Sequence, residues 1–241
     1  MNGKIHSIET LAGLDGPGLR CVIFLQGCPL RCAYCHNPDT WDTSSGTTYE
    51  LPEVIKRILK CQPYFNKNGG VTFSGGEPFA QPEFLLELLK SCKINNIHTA
   101  VDTSGYFLDD TVKECLKYTD LVILDIKHNE ENAYKKLTGK PLKNTLEFLK
   151  YVSQQNILLW LRQVIIPGIN DSPEHIKEFA GLIKTYSKPQ KVELLPYHTM
   201  GIKKWEELKL KYTLMNVKDA DIEMVSTLQK LLNNFLQQDR P

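Results

Sequence analysis

The chain has 241 residues, 41% hydrophobic and 24% charged, an ordinary globular composition. With 29 Lys and Arg against 28 Asp and Glu, the net charge is +1, so no global field draws nucleic acid or an anionic membrane surface. No apolar run is long enough to cross a bilayer, and Met1–Glu9 lacks the apolar core of a signal peptide, so a cytoplasmic protein is expected.

Strand-like and helical patterns alternate along the chain. Cys21–Gln26 reads as a strand ending at Gly27. Glu50–Cys61 carries Leu51, Val54, Ile55, Ile58 and Leu59 at helical spacing. Val71–Ser74 is a short strand stopped by Gly75-Gly76, and Pro82 opens a helix with Phe84, Leu85, Leu88 and Leu89 on one face. His98–Asp102 is the next strand, followed by a helix over Asp109–Lys117. Leu121–Asp125 is a continuous apolar run, as in strands covered on both faces, and Leu142–Gln155 is its helix. Ile157–Ile166 and Pro173–Tyr186, behind an Asp171 or Ser172 cap, form the fifth unit. Lys191–Leu195 and the amphipathic stretch Asp219–Gln238 form the sixth.

Six such units without a composition break predict one α/β domain over 1–241, a partial (β/α)6 TIM-like barrel. Its core spans about 20–200, with 1–19 and 201–241 as peripheral additions; Met1–Leu19 and Lys203–Val217 stand out as such.

In α/β barrels the active site gathers at the carboxyl ends of the strands. Here those ends run into the Cys28–Cys35 loop, Ser74-Gly75-Gly76-Glu77, Asp102-Thr103-Ser104, Asp125-Ile126-Lys127, Arg162-Gln163 and Pro196-Tyr197-His198. Taken singly, each has a bland role, as a helix cap, a turn or a structural ion pair. Jointly they are expected to converge on one mouth.

Cys28, Cys32 and Cys35 form a C-x3-C-x2-C motif. Three thiolates so spaced can hold three irons of a 4Fe–4S cluster and leave the fourth iron open to substrate. The spacing also admits a zinc knuckle with His36 as fourth ligand, or three buried thiols. The other four cysteines, Cys21, Cys61, Cys92 and Cys115, lie in apolar segments and read as plain buried thiols.

The cysteine motif with Tyr34 before its third Cys, followed by Gly75-Gly76-Glu77-Pro78, resembles the radical S-adenosylmethionine superfamily. Asp15–Arg20, Tyr34–Asn37, Thr40–Asp42, Ser74–Glu77, His98-Thr99, Asp102-Thr103, Leu124–Lys127 and Leu194–His198 extend the likeness to the glycyl-radical-enzyme activases over nearly the whole chain. The Cys-rich insert that several such activases carry after the cluster loop is missing here. Only Cys61 falls in that interval, which favours the single-cluster members.

The resemblance implies cluster ligation by Cys28, Cys32 and Cys35, with S-adenosylmethionine on the fourth iron. Reductive cleavage of that cofactor then gives a 5′-deoxyadenosyl radical, which takes hydrogen from a partner's glycine. Implied cofactor contacts are Tyr34, Cys35, His36, Gly75, Gly76, Glu77 (to the ammonium group), Asp125, Ile126, Lys127, Arg162 and His198. A monovalent cation, Na+ or K+, is implied at Asp102, Thr103 and Asp125, where the alternative is charge balance by Lys127 alone. The expected partners are a glycyl radical enzyme, pyruvate formate-lyase first, and flavodoxin or ferredoxin as electron donor. Asp15 is expected to line the opening for the partner's glycine loop. The competing readings are an activase of another glycyl radical enzyme, a radical enzyme acting on a small molecule, and a non-catalytic iron–sulfur or zinc module.

Overall fold

The computed structural model describes residues 1–238; the last three residues of the expected C-terminal addition, 239–241, lie outside the described residues. The strands are β1 Asn2–Ala12, β2 Arg20–Leu25, β3 Thr47–Glu50, β4 Gly70–Gly75, β5 Thr99–Thr103, β6 Leu121–Asp125, β7 Leu158–Ile165 and β8 Lys191–Pro196. They form one sheet in the order β3-β1-β2-β4-β5-β6-β7-β8. From β2 to β8 all neighbours are parallel, while β1 runs antiparallel to both β2 and β3. Because β3 and β8 are edges that do not pair, the six parallel strands make the open, partial barrel expected.

The helices are α1 Leu51–Cys61, α2 Pro82–Ile94, α3 Asp110–Leu116, α4 Glu131–Thr138, α5 Leu142–Ser153, α6 Pro173–Tyr186, α7 Ile202–Glu207 and α8 Ile222–Gln237. One apolar cluster runs from Ile5 to Leu232 and takes in Phe73, Phe79, Phe148 and Phe179. It includes Cys21, Cys61, Cys92 and Cys115, all buried, as their apolar surroundings predict. No described helix is long and apolar enough to cross a membrane.

Four elements depart from the sequence reading: β1, α4, the short edge strand β3 and the helix α7. Met1–Leu19 is not merely peripheral, because most of it is β1, which extends the sheet. Its apolar residues are sparse because its far half is largely exposed. α4 is also absent from the sequence reading. Its sequence ENAYKKLT is mostly polar and buries only Tyr134, Leu137 and Thr138.

α6 begins at the Ser172 cap, whose hydroxyl accepts from the His175 N–H. The buried His175 bonds Gln163 Oε1 through Nε2 at 2.8 Å, and Gln163 donates to the Ile126 carbonyl at 3.1 Å. Burial, and then the neighbouring His128, hold His175 down at about 4, against 6.5 for a free histidine. A base whose folded pKa is depressed costs no stability above its unfolded pKa, but it destabilises progressively as pH falls below it. His175 is therefore expected to cost about 3 kcal/mol between pH 6.5 and about 4. Urea titrations across that range should show His175→Gln losing less stability on acidification than wild type. Parallel losses would remove this histidine from the acid response.

Candidate active site

β2 delivers the cysteine loop, and three sets of bonds fix it. Gly27 N donates to Thr40 O and Glu77 N to Gly27 O, each at 2.8 Å. Arg31 N and Ala33 N donate to Thr138 O and Leu137 O at the end of α4, also at 2.8 Å. Trp205 Nε1 on α7 donates to Cys35 O at 2.8 Å. Trp205 itself sits edge-on between Trp41 and Tyr212, so the C-terminal segment clamps the third cysteine.

The glycine pair after β4 is required by close backbone approach. Gly75 has φ +121°, and a Cβ there would lie 2.2 Å from Leu25 O. At Gly76 a Cβ would lie 2.4 Å from Gly27 O and 3.0 Å from the Cys28 Cβ. Only glycines let the ends of β2 and β4 close against each other beside the first cysteine.

A cavity of about 520 Å³ opens at the strands' carboxyl ends. It brings together Cys28, Cys32, Tyr34, Cys35, His36, Gly75, Gly76, Asp102, Thr103, Asp125, Lys127, Arg162 and His198, with Asp15 at its edge. Strand register aligns the charges: Asp125 pairs with Arg162, and Arg162 with Glu193. Arg162 Nε donates to Glu193 Oε2 at 3.2 Å, and its Nη2 to the Leu14 carbonyl at 2.7 Å. Lys127 Nζ bonds Asp125 Oδ2 at 2.5 Å and lies 5.9 Å from the Tyr34 ring centre. Burial alone would lower the Lys127 ammonium, but Asp125 and its neighbours hold it well above its usual value, so it stays charged. Ser74 donates to Asp102 at 3.0 Å. Burial, and then the Asp125 carboxylate, push Asp102 up to about 7.

Two predicted contacts do not reach the cavity. The Glu77 carboxylate is buried behind it and accepts from Thr103 Oγ1 at 2.6 Å, Ser104 N at 2.9 Å, Ser104 Oγ at 2.5 Å and Phe79 N at 3.2 Å. Four donors occupy its two oxygens, so instead of meeting a ligand's ammonium it ties the end of β4 to that of β5. Burial raises the Glu77 carboxyl and these donors pull it back. Ile126 is wholly buried, and its main chain bonds Arg162 O and Gln163 Nε2. Sequence position placed both at strand ends, but Glu77 follows the turn at Gly76 that carries it behind the cavity, and Ile126, next after Asp125, faces the opposite way into the core. Conversely, Glu193, Trp41, Asn37 and Ser74 line the cavity without having been singled out as site residues. The last three lay inside the motifs that carry the resemblance. Glu193 is visible only through the register of β7 with β8.

His36 does not join the cysteines as a fourth metal ligand. Its ring stacks on His198 at 4.1 Å between centres, and its Nε2 approaches the His198 carbonyl at 3.3 Å. Burial, and then His198, lower its pKa. Among the described residues no three His, Cys, Asp or Glu side chains converge on one metal-ion position. A polynuclear cluster takes one thiolate per iron and so does not require the three sulfurs to meet at one point. All three thiols are free. Burial raises each pKa, with Cys32 pushed up to about 12, so as thiolates they need a compensating positive centre. Tyr34 Oη and His198 Nδ1, buried beside the cavity, have no hydrogen-bond partner among the described residues. Both are available to a ligand.

Residues 14–148 match the family model described as a 4Fe-4S single cluster domain. A pyruvate formate-lyase-activating enzyme of Clostridium pasteurianum is 49% identical over 236 residues, covering 98% of this chain and 99% of the relative. The chain belongs to the pyruvate formate-lyase-activating enzymes. Among solved structures, a domain of such an activating enzyme from Bacteroides vulgatus aligns with TM-score 0.57 at 27% identity, over 69% of this chain and 94% of that one. Streptococcus suis SuiB, bound to precursor peptide SuiA, shares the fold at TM-score 0.69 and 17% identity, over 92% of this chain and 46% of that one. As an activating enzyme of this radical S-adenosylmethionine group, the chain uses a 4Fe–4S cluster and S-adenosylmethionine. The buried thiols and unpartnered polar atoms fit those groups.

Proposed function

We propose that this chain activates pyruvate formate-lyase by taking a hydrogen atom from one of its glycines, and that 1–241 acts as one catalytic unit. The observation that carries this reading is the meeting of three cysteines from one loop with Asp102, Asp125, Lys127 and Arg162 from neighbouring strands on a single cavity. When bound, the cluster and S-adenosylmethionine supply a 5′-deoxyadenosyl radical.

The chain's own residues hold and orient. Cys28, Cys32 and Cys35 each give one thiolate to iron. Gly75 and Gly76 keep the strand ends close and offer main chain to the methionine group. Lys127 and Arg162 meet its carboxylate. Tyr34, His36 and His198 line the nucleoside end, with His198 Nδ1 and Tyr34 Oη as free polar contacts. Glu77 fixes Thr103 and Ser104 rather than touching the ligand. Flavodoxin or ferredoxin is the proposed electron donor.

The cation proposal rests on Asp102 and Asp125 facing one cavity. Oxygen donors suit a hard cation. Thr103 Oγ1 donates to Glu77 and accepts from Gly105 N, which leaves one lone pair to share. Asp102→Asn should weaken S-adenosylmethionine binding about tenfold, or ~1.4 kcal/mol. In wild type, replacing sodium and potassium with a bulky organic cation should reproduce part of that loss. Equal affinity in all salts would leave Lys127 and Arg162 as the counter-charges.

The test of the function is anaerobic reconstitution with iron and sulfide, chemical reduction and addition of S-adenosylmethionine. The expected products are 5′-deoxyadenosine and, with pyruvate formate-lyase present, a glycyl radical signal by electron paramagnetic resonance. Cleavage without that signal would move the assignment to another glycyl radical enzyme or to a small-molecule substrate.

A further inference from the structure

Reductive cleavage consumes one electron, which must reach the cluster from outside the chain. Four cations lie on the cysteine loop and on the end of α4 that anchors it: Arg31, Lys135, Lys136 and Lys140. Arg31 lies between two of the cysteines and is exposed. Its Nη1 donates to the Cys28 and Leu30 carbonyls at 2.8 Å, and its guanidinium sits 4.9 Å from the Trp41 ring centre. Its other nitrogens make no hydrogen bond within the described residues, so the group is fixed yet open to a partner.

α4 brings the lysines. Its last carbonyls receive Arg31 N and Ala33 N, and Gly139, left-handed at φ +73°, stops the helix beside Arg31. Lys135 and Lys136 are exposed in the last turn, and Lys140 follows, 5.3 Å from the Tyr106 ring centre. Among the described residues none of the four is in an ion pair. The nearby acids point elsewhere: Glu130 accepts from Asn132 N and Ala133 N, and Glu131 from Leu142 N. A helix C-terminus favours lysines by itself. That accounts for Lys135 and Lys136, but not for Arg31 arriving from the cysteine loop. With a net charge of only +1, the clustering is local.

We propose that this basic face, built from the end of α4 and the Arg31 turn, docks an acidic electron-carrier protein and passes its electron to the cluster through the Leu30–Ala33 segment. The inference rests on the proposed cluster function. The carrier loses one electron and the cluster gains it; no bond forms and no proton moves in that step. None of the four cations lines the cavity, whereas Leu14 and Asp15 do, so carrier and glycine partner use different residues. Opposed charges of this kind act chiefly on encounter rate and fade with salt.

The test uses the reconstituted holoenzyme and a bacterial flavodoxin as probe. Lys135→Glu/Lys136→Glu/Lys140→Glu should weaken flavodoxin binding, and slow cluster reduction by pre-reduced flavodoxin, by at least about tenfold at low ionic strength. The gap should close at about 0.3 M salt. Reduction by dithionite and the ensuing cofactor cleavage should match wild type. A control of equal charge change on exposed positions elsewhere, Lys56→Glu/Lys60→Glu/Lys67→Glu, should stay within about twofold of wild type. Unchanged flavodoxin binding and reduction in the α4 variant would overturn the proposal. So would equal losses in the control, or a parallel loss of dithionite reduction. Wild type that fails to cleave the cofactor even with dithionite would instead remove the proposed function, and this inference with it.

Discussion

Cys32→Ala protein is expected to retain no stable 4Fe–4S cluster and to lose cofactor cleavage entirely, while its apo form still unfolds cooperatively. The three cysteines sit on one loop and face one cavity, so two remaining thiolates leave two irons without protein ligands. The fold does not depend on them. The loop's anchors are main-chain bonds to Thr138, Leu137 and Thr40 and the Trp205 bond to Cys35, none of which uses a thiol. Removing the buried Cys32 thiol leaves only a small void, costing about 1 kcal/mol. The same replacement at Cys61, Cys92 or Cys115 should leave iron content unchanged, since these thiols are buried in the apolar core and none lines the cavity. Iron and sulfide assays with the visible spectrum of the reconstituted protein decide the matter. Full cluster occupancy in Cys32→Ala would end the ligand assignment.

The parallel strands were legible in sequence because they are covered on both faces. Leu121–Asp125 and Cys21–Gln26 read as continuous apolar runs for that reason. β1 was not, because its exposed half gives no such run, and α4 was not, because it is only eight residues long, mostly polar, and buries just Tyr134, Leu137 and Thr138. At the site, strand-end position foretold which residues gather but not which way each side chain turns. Gly76 lets the chain double back, and the next residue, Glu77, is carried behind the cavity onto Thr103 and Ser104. The partnership of Arg162 with Glu193 depends on the register of β7 with β8, which no local pattern encodes. Likewise, the clamp of Trp205 on Cys35 joins residues whose separation along the chain hides the contact.

Asp15→Ala is expected to slow radical transfer to a glycine-loop peptide about 10- to 100-fold while uncoupled cleavage of S-adenosylmethionine stays within about twofold, a difference of ~1.4–3 kcal/mol. The backbone around Asp15 is held independently of its carboxylate. Thr72 Oγ1 donates to the Asp15 carbonyl at 2.6 Å, and Arg162 Nη2 donates to the neighbouring Leu14 carbonyl. Arg20, fully buried, donates to Thr72 Oγ1 at 2.9 Å and to Val71 O at 2.5 Å, which fixes the strand beneath the Asp-Gly-Pro-Gly turn. Truncation at Cβ therefore keeps the turn in place and removes only the charge at the cavity edge. Burial raises the Asp15 carboxyl, against the pull of Arg162 and Arg20. A group so placed gains from new hydrogen-bond donors, and the main-chain N–H groups of an extended, glycine-centred segment supply them. The neighbouring Leu14, 87% exposed at the same rim, offers apolar area for the same segment. The cleavage step needs the cysteines and the nucleoside contacts, which lie deeper, and so is expected to survive. Single-turnover assays that count 5′-deoxyadenosine and glycyl radical in the same sample separate the two. Equal loss of both would place Asp15 in cofactor binding, and unchanged transfer would remove it from the partner's path.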